Sequence, residues 1–203
     1  MTHKAPVFEK IMQDYLHQVT CIANREKVAA SLGATISEGI YRISFFDEIY
    51  TVSSNSVSNA DGRTASHAVA VLLCKYLLLC PAIPSDDTSL ATYKDFRDSA
   101  PYVIGFRNTA EHPIADGFAH DLPRLKKRCQ ELGGRTVDTE VSCDLAVRFQ
   151  ALPNVPVLLI FHDADEEFPA EATILFQKNA ESYLDMECLA IVGGCLAYRL
   201  QRQ

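Results

Sequence analysis

No run of about 18 consecutive apolar residues occurs in the 203-residue chain, so nothing in it is built to span a bilayer. Basic charge is also scarce. Nineteen Lys and Arg face 26 Asp and Glu, a net charge of −7, which is the wrong sign for a protein held on nucleic acid by phosphate contacts. The leading residues Met1-Thr2-His3-Lys4-Ala5-Pro6 carry no apolar signal core, which predicts a cytoplasmic protein. Gly-x-Ser-x-Gly, the phosphate loop, the dinucleotide fingerprint and His-Glu-x-x-His are all missing, so the common signatures of covalent hydrolases, nucleotide binders and zinc proteases are excluded. The seven cysteines include no Cys-x-x-Cys pair, which argues against a zinc knuckle, a redox pair or an iron–sulfur cluster. There is no internal repeat, low-complexity tract or linker.

What remains is a chain that is 48% hydrophobic and 22% charged, enough to bury a core as one compact domain over residues 1–203. Most cysteines sit among apolar neighbours, as in Val71-Leu72-Leu73-Cys74, and read as small buried hydrophobes. Cys129 follows Lys126-Lys127-Arg128, the setting that would activate a thiol if it faced solvent.

Periodicity places the elements. Val7, Ile11, Tyr15 and Val19, with Phe8, Met12 and Leu16, trace a helical stripe from Pro6, and Gly33 supplies a stop after Leu32. Tyr41, Ile43 and Phe45 alternate with polar residues, and Tyr50 and Val52 resume the pattern, a hairpin turned at Asp47-Glu48. Ser53 to Thr64 reads as a loop. Ala65 to Cys80 is an apolar core helix ended by Pro81. Tyr102 to Phe106 is the clearest of several short strand-like pieces between Leu90 and Phe106. Asp121 caps a helix carrying Leu125, Cys129 and Leu132 that Gly133-Gly134 closes. Cys143, Leu145, Val147 and Phe149 alternate as a strand. Val155 to Phe161 is apolar on both faces, as an interior strand requires, and a last helix runs from about Asp185 to Arg199 with Gly193-Gly194 as a close-packing site. Helices and hairpins do not alternate regularly, so the predicted fold class is α+β, a mainly antiparallel sheet packed against several helices.

Chemistry concentrates after the interior strand, in His162-Asp163-Ala164-Asp165-Glu166-Glu167-Phe168-Pro169. Crowded carboxylates repel and need a stabilising partner. A hard divalent cation held by Asp163, Asp165 and Glu167 would serve, although Phe168 and Ile174 stand where a calcium loop needs Gly and Glu. The plainer reading is a solvated acidic turn favouring a helical turn begun at Pro169.

The blocks Val155–Phe161, Asp165-Glu166-Glu167-Phe168-Pro169-Ala170, Ile174-Leu175-Phe176 and Tyr183-Leu184 resemble a bacterial family known as domain of unknown function 3786. Tyr76-Leu77-Leu78, Phe96-Arg97, Pro113-Ile114-Ala115 and Leu132-Gly133-Gly134 agree, so the resemblance extends over most of the chain. It carries over no catalytic residue. It implies a protein of anaerobic bacteria, some of whose relatives bear an added cysteine-rich iron–sulfur domain, and hence accessory work near one-carbon or corrinoid metabolism. Two departures stand out: no cluster-binding cysteines precede the domain, and Gln177 follows Leu175-Phe176 where the resemblance leads one to expect Asp.

A second constellation lies in Glu111-His112-Pro113-Ile114-Ala115-Asp116-Gly117-Phe118-Ala119-His120. On one continuous helix His112, Asp116 and His120 would share a face and suit Zn²⁺ or Fe²⁺. Gly117 argues against that helix, leaving exposed polar residues around a helix–turn–helix. Lys94, Arg97 and Arg107, near Tyr93 and Tyr102, form a candidate anion site or scattered surface charge. Three function classes stay open: a non-catalytic accessory or ligand-binding protein of anaerobic metabolism, a metal-dependent hydrolase-like enzyme using the acidic turn, and a protein interaction module. The expected partner is a small-molecule ligand or another protein, not nucleic acid or membrane.

Overall fold

Strand β8 (Val155–His162) has Val155 to Phe161 buried without a break. A strand apolar on both faces needs neighbours on both sides, and it has them. The computed structural model describes residues 6–202; the segment Met1–Ala5, read above for a signal core, lies outside them. The five-stranded antiparallel sheet has the order β5 (Leu90–Thr92), β9 (Glu171–Gln177), β8, β7 (Leu145–Leu152), β6 (Arg135–Thr136). A bulge at Gln150/Leu152 falls opposite Pro156, which has no N–H to give the ladder. One face of β8, with Val157, Leu159 and Phe161, enters the main core. On the other face Leu158 and Ile160 pack with Ala146 under Val137, Cys143 and Leu175.

A second antiparallel sheet is formed by β1 (Thr35–Ser37), β2 (Ile40–Phe45), β3 (Glu48–Val52) and β4 (Val57–Asn59) in that order. The β2–β3 hairpin turns at Phe46-Asp47, one residue before the expected Asp47-Glu48, with Phe46 in the left-handed region at φ 53°. Its N–H donates to Ala151 O across to the larger sheet at 2.8 Å. The expected loop Ser53–Thr64 contains β4, a short edge strand. The predicted α+β class is therefore the observed one: two antiparallel sheets with helices.

The long first helix divides. α1 (Pro6–Thr20) ends before Asn24, which takes a left-handed conformation at φ 52°, and α2 (Arg25–Ser31) follows; Asn tolerates that backbone better than most residues. α1 packs on α3 (His67–Leu78), and α3 in turn packs on α7 (Met186–Gln201). Asp121 caps α6 (Leu122–Glu131) by accepting from Arg124 N. Among the described residues no helix is long and apolar enough to cross a membrane.

The largest departure is at Tyr102–Phe106. The expected strand is α4 (Val103–Phe106), continuing through a π-helical stretch Arg107–Glu111 into α5 (His112–Phe118). Phe106, Ala110, Ile114 and Phe118 are all buried, a four-residue spacing that drifts around a 3.6-residue helix. The wider π turn keeps the stripe in line. It also absorbs Pro113, whose ring would crowd the Thr109 carbonyl in a regular helix. Ile104 is 76% exposed while Phe106 is buried, although a strand would turn both to the same face. A helical turn at Pro169 is likewise absent; the chain enters β9 at Glu171.

The small residue that lets α7 seat this stretch is Gly193. A Cβ there would run into the Phe106 ring and lie 3.1 Å from Ala110 Cβ. We expect Gly193→Ala to destabilise the fold by about 1–3 kcal/mol through overpacking, read as a lower urea midpoint. An unchanged midpoint would show that the contact is slack.

All seven cysteines are free thiols, with Cys74, Cys129 and Cys188 buried and Cys21 exposed. Burial pushes the Cys74 and Cys129 thiols up to about 12, so Cys129, despite its basic neighbours, is a core residue rather than an activated nucleophile. Thiol titration of the native protein should show one fast group, lost in Cys21→Ser. Rapid labelling of more than about two would contradict this burial.

Candidate functional site

The β8–β9 hairpin is closed by the acidic turn, and main-chain N–H groups relieve its charge. Asp163 Oδ1 accepts from His120 N at 2.6 Å and from Ala164 N at 2.8 Å. Asp163 N donates to Asp144 Oδ2 at 2.7 Å. Asp165 Oδ1 accepts from Glu167 N and Phe168 N, both at 2.8 Å, and these two bonds hold its carboxyl below the usual carboxylate range. Asp165, Glu166 and Glu167 are exposed and Asp163 half-buried.

The second constellation is split. His112 and Asp116 lie on α5, but the helix ends at Phe118. His120 stands beyond it in a left-handed backbone at φ 60°, so the three do not share a helical face. His120 instead ties its N–H to Asp163, which draws α5 up to the acidic turn.

Between α5 and the turn opens a cleft of about 950 Å³, within the range of small-molecule sites. His112 and Asp116 line one wall, and Asp144, His162, Asp163 and Asp165 line the other. The two constellations read separately in the sequence therefore face each other. A smaller hollow of about 400 Å³ adjoins it and takes in His120 and Glu167. Among the described residues no three His, Cys, Asp or Glu side chains are gathered as metal ligands.

Lys94 and Arg107 also reach the cleft, whereas Arg97 is not in its lining. The pairing is set by aromatic packing: Tyr93 stacks flat on Phe106, ring centroids 4.2 Å apart and planes 9° apart, so the residues that follow each ring emerge at the same end. Tyr93 OH donates to Met186 O at 2.6 Å and fixes the stack to the start of α7.

The floor is the edge of β9. β5 covers that edge only from Gln177 to Leu175. Beyond it, Ile174 N donates to Glu111 Oε1 at 3.1 Å, a side chain standing in for a strand. By the alternation of an antiparallel ladder, the main-chain groups of Ala172, itself buried, turn the same way beneath the cleft floor. Burial pushes the Glu111 carboxyl up, against the pull of the Ile174 N–H, Arg107 and His112. Sequence reasoning passed over Glu111. The signal that finds it is the π turn, a feature that recurs at functional sites.

The profile of the family described as Domain of unknown function (DUF3786) matches residues 24–199. The chain belongs to that family. The matched span contains every residue lining the cleft and leaves out the whole of α1. No curated protein and no solved structure matches the chain.

For this DUF3786 member the raised Glu111 carboxyl makes a pH prediction. A carboxyl with a folded pKa above its unfolded one binds more protons when folded, so its contribution to stability is lost as pH rises through the folded pKa. Glu111→Gln keeps an acceptor for Ile174 N and removes the charge. Its melting temperature relative to wild type should be higher near pH 8 and converge below about pH 4. A gap that widens on acidification would overturn the assignment.

Proposed function

We propose that this protein is a non-catalytic ligand-binding protein, serving as an accessory in anaerobic metabolism, whose small polar ligand occupies the cleft between α5 and the acidic turn. The observation that carries the reading is the lining itself. Lys94 and Arg107 share the cleft with Asp116, Asp144, Asp163 and Asp165 around an open stretch of strand edge. Few convergent polar groups in a concave site of this size are the mark of small-molecule recognition. Charges of both signs favour a polar organic molecule over a bare cation. The accessory role rests on the family resemblance.

An enzyme reading is supported by one observation, the half-buried Glu111 with its raised pKa next to His112 in the cleft, a setting suited to general-base chemistry. Saturable heat on titrating Mg²⁺, Ca²⁺ or Mn²⁺, abolished by Asp163→Asn with Asp165→Asn, would favour it over the binding reading.

The test of the binding reading is amide chemical-shift mapping of the full chain against pooled small polar metabolites. We expect saturable shifts at Arg107, Glu171 and Thr173, reduced at least about tenfold in affinity by Ala170→Trp, which narrows the cleft. Shifts confined to the face around Leu158 and Ile160, or none at all, would overturn it.

A further inference from the structure

The cleft is polarised along β9, and strand register shows how far. Thr92 pairs with Leu175 at one end, so Lys94, two residues on, begins the cleft there. Arg107 joins Lys94 through the Tyr93–Phe106 stack. At the other end His162 pairs with Glu171, and the residues after His162 are the acidic turn. Leu175 and Glu171 are four positions apart, about 13 Å of extended strand. Positive charge therefore gathers at one end of the cleft, and Asp116, Asp144, Asp163 and Asp165 gather at the other.

Each pole has spare bonding capacity. Asp163 and Asp165 accept their main-chain bonds on Oδ1 alone, so among the described residues the Oδ2 atom of each takes no hydrogen bond. Asp116 takes none. Asp144 is engaged through Oδ2 only. An ammonium group has three donors for such acceptors. Lys94 and Arg107 form no ion pair among the described residues, leaving donors for an anionic oxygen group.

We propose that the cleft is a two-poled site for a dipolar ligand, an anionic oxygen group held by Lys94 and Arg107 and an ammonium group held by the aspartates, separated by about 10 Å of chain. The inference rests on the binding reading above and specifies the ligand class for the same site.

Calorimetric titration of the full chain with ω-aminooctanoate, octanoate and octylamine tests it, with amide mapping run in parallel. ω-Aminooctanoate should bind at least about tenfold more tightly than either single-headed probe. Arg107→Gln should weaken ω-aminooctanoate and octanoate and leave octylamine unchanged. Asp116→Asn should weaken ω-aminooctanoate and octylamine and leave octanoate unchanged. Both side chains are exposed and free of structural bonds among the described residues, and unchanged melting temperatures verify that the variants fold. Equal affinity for all three probes, or equal losses from both substitutions, overturns the two-poled site while leaving the cleft a binding site. Shifts at no cleft amide with any probe overturn this proposal; the metabolite screen then decides the broader reading separately.

Discussion

The approach of α7 to the π turn at Gly193 sets the position of everything the cleft is made from. Without a side chain at Gly193, Phe106 lies between α7, Tyr93 and Phe176. That ring decides where Arg107, Glu111 and His112 emerge. α7 is in turn held along its length. Asp185 caps its first turn by accepting from Cys188 N and pairs with Lys75 of α3 at 2.6 Å. Burial works to raise the Asp185 carboxyl, and those bonds outweigh it and leave it below its ordinary value. At the other end Arg128 of α6 donates to the carbonyls of Leu200, Arg199 and Arg202, groups that a helix terminus leaves without partners.

Magnitudes separate the ion pairs that matter here from those that do not. Lys127–Glu131, an exposed pair on α6, is worth a few tenths of a kcal/mol at most. Arg199 is different: its side chain is 12% exposed, it bonds Asp47 at 2.7 Å and Glu48 at 3.1 Å, and its guanidinium lies over the rings of Phe45 and Phe46. Removing one partner of such a group leaves a buried charge uncompensated. The small sheet is thus fastened to α7 through the β2–β3 turn, and the same helix that seats the cleft wall also joins the two sheets.

The elements legible in the sequence are those whose burial is visible in one short window. β8 is apolar on both faces, α3 is apolar but for His67 and Lys75, and α6 and α7 announce their starts with Asp121 and Asp185. The misread ones depend on distant partners. Tyr102 to Phe106 has strand-like residues, but Phe106 is buried by Gly193, 87 positions on, in a helical stripe. β9 alternates in burial, yet its start is masked by the acidic turn that the eye reads as a helix cap. The two candidate constellations were each visible. Their convergence was not, because it depends on one bond between His120 and Asp163, 43 residues apart. Glu111 was invisible for a similar reason: its role is defined by a strand edge that sequence alone does not show to be open.

That open edge explains why a cleft exists at all. β5 cannot follow β9 beyond Leu175, because Tyr93 must turn inward to stack on Phe106 and bond Met186 O. An edge left without a strand still carries polar main-chain groups, which cannot be buried unpaired at low cost. Covering it with apolar helix would orphan them, and pairing it would displace the aromatic stack. The fold adopts a third arrangement. It places one carboxylate, Glu111, on Ile174 N and sets the cleft over the rest of the edge. The burial that raises the Glu111 carboxyl and the cleft that opens beyond Leu175 therefore have the same cause: the demands of the Tyr93–Phe106 stack end a strand three residues long.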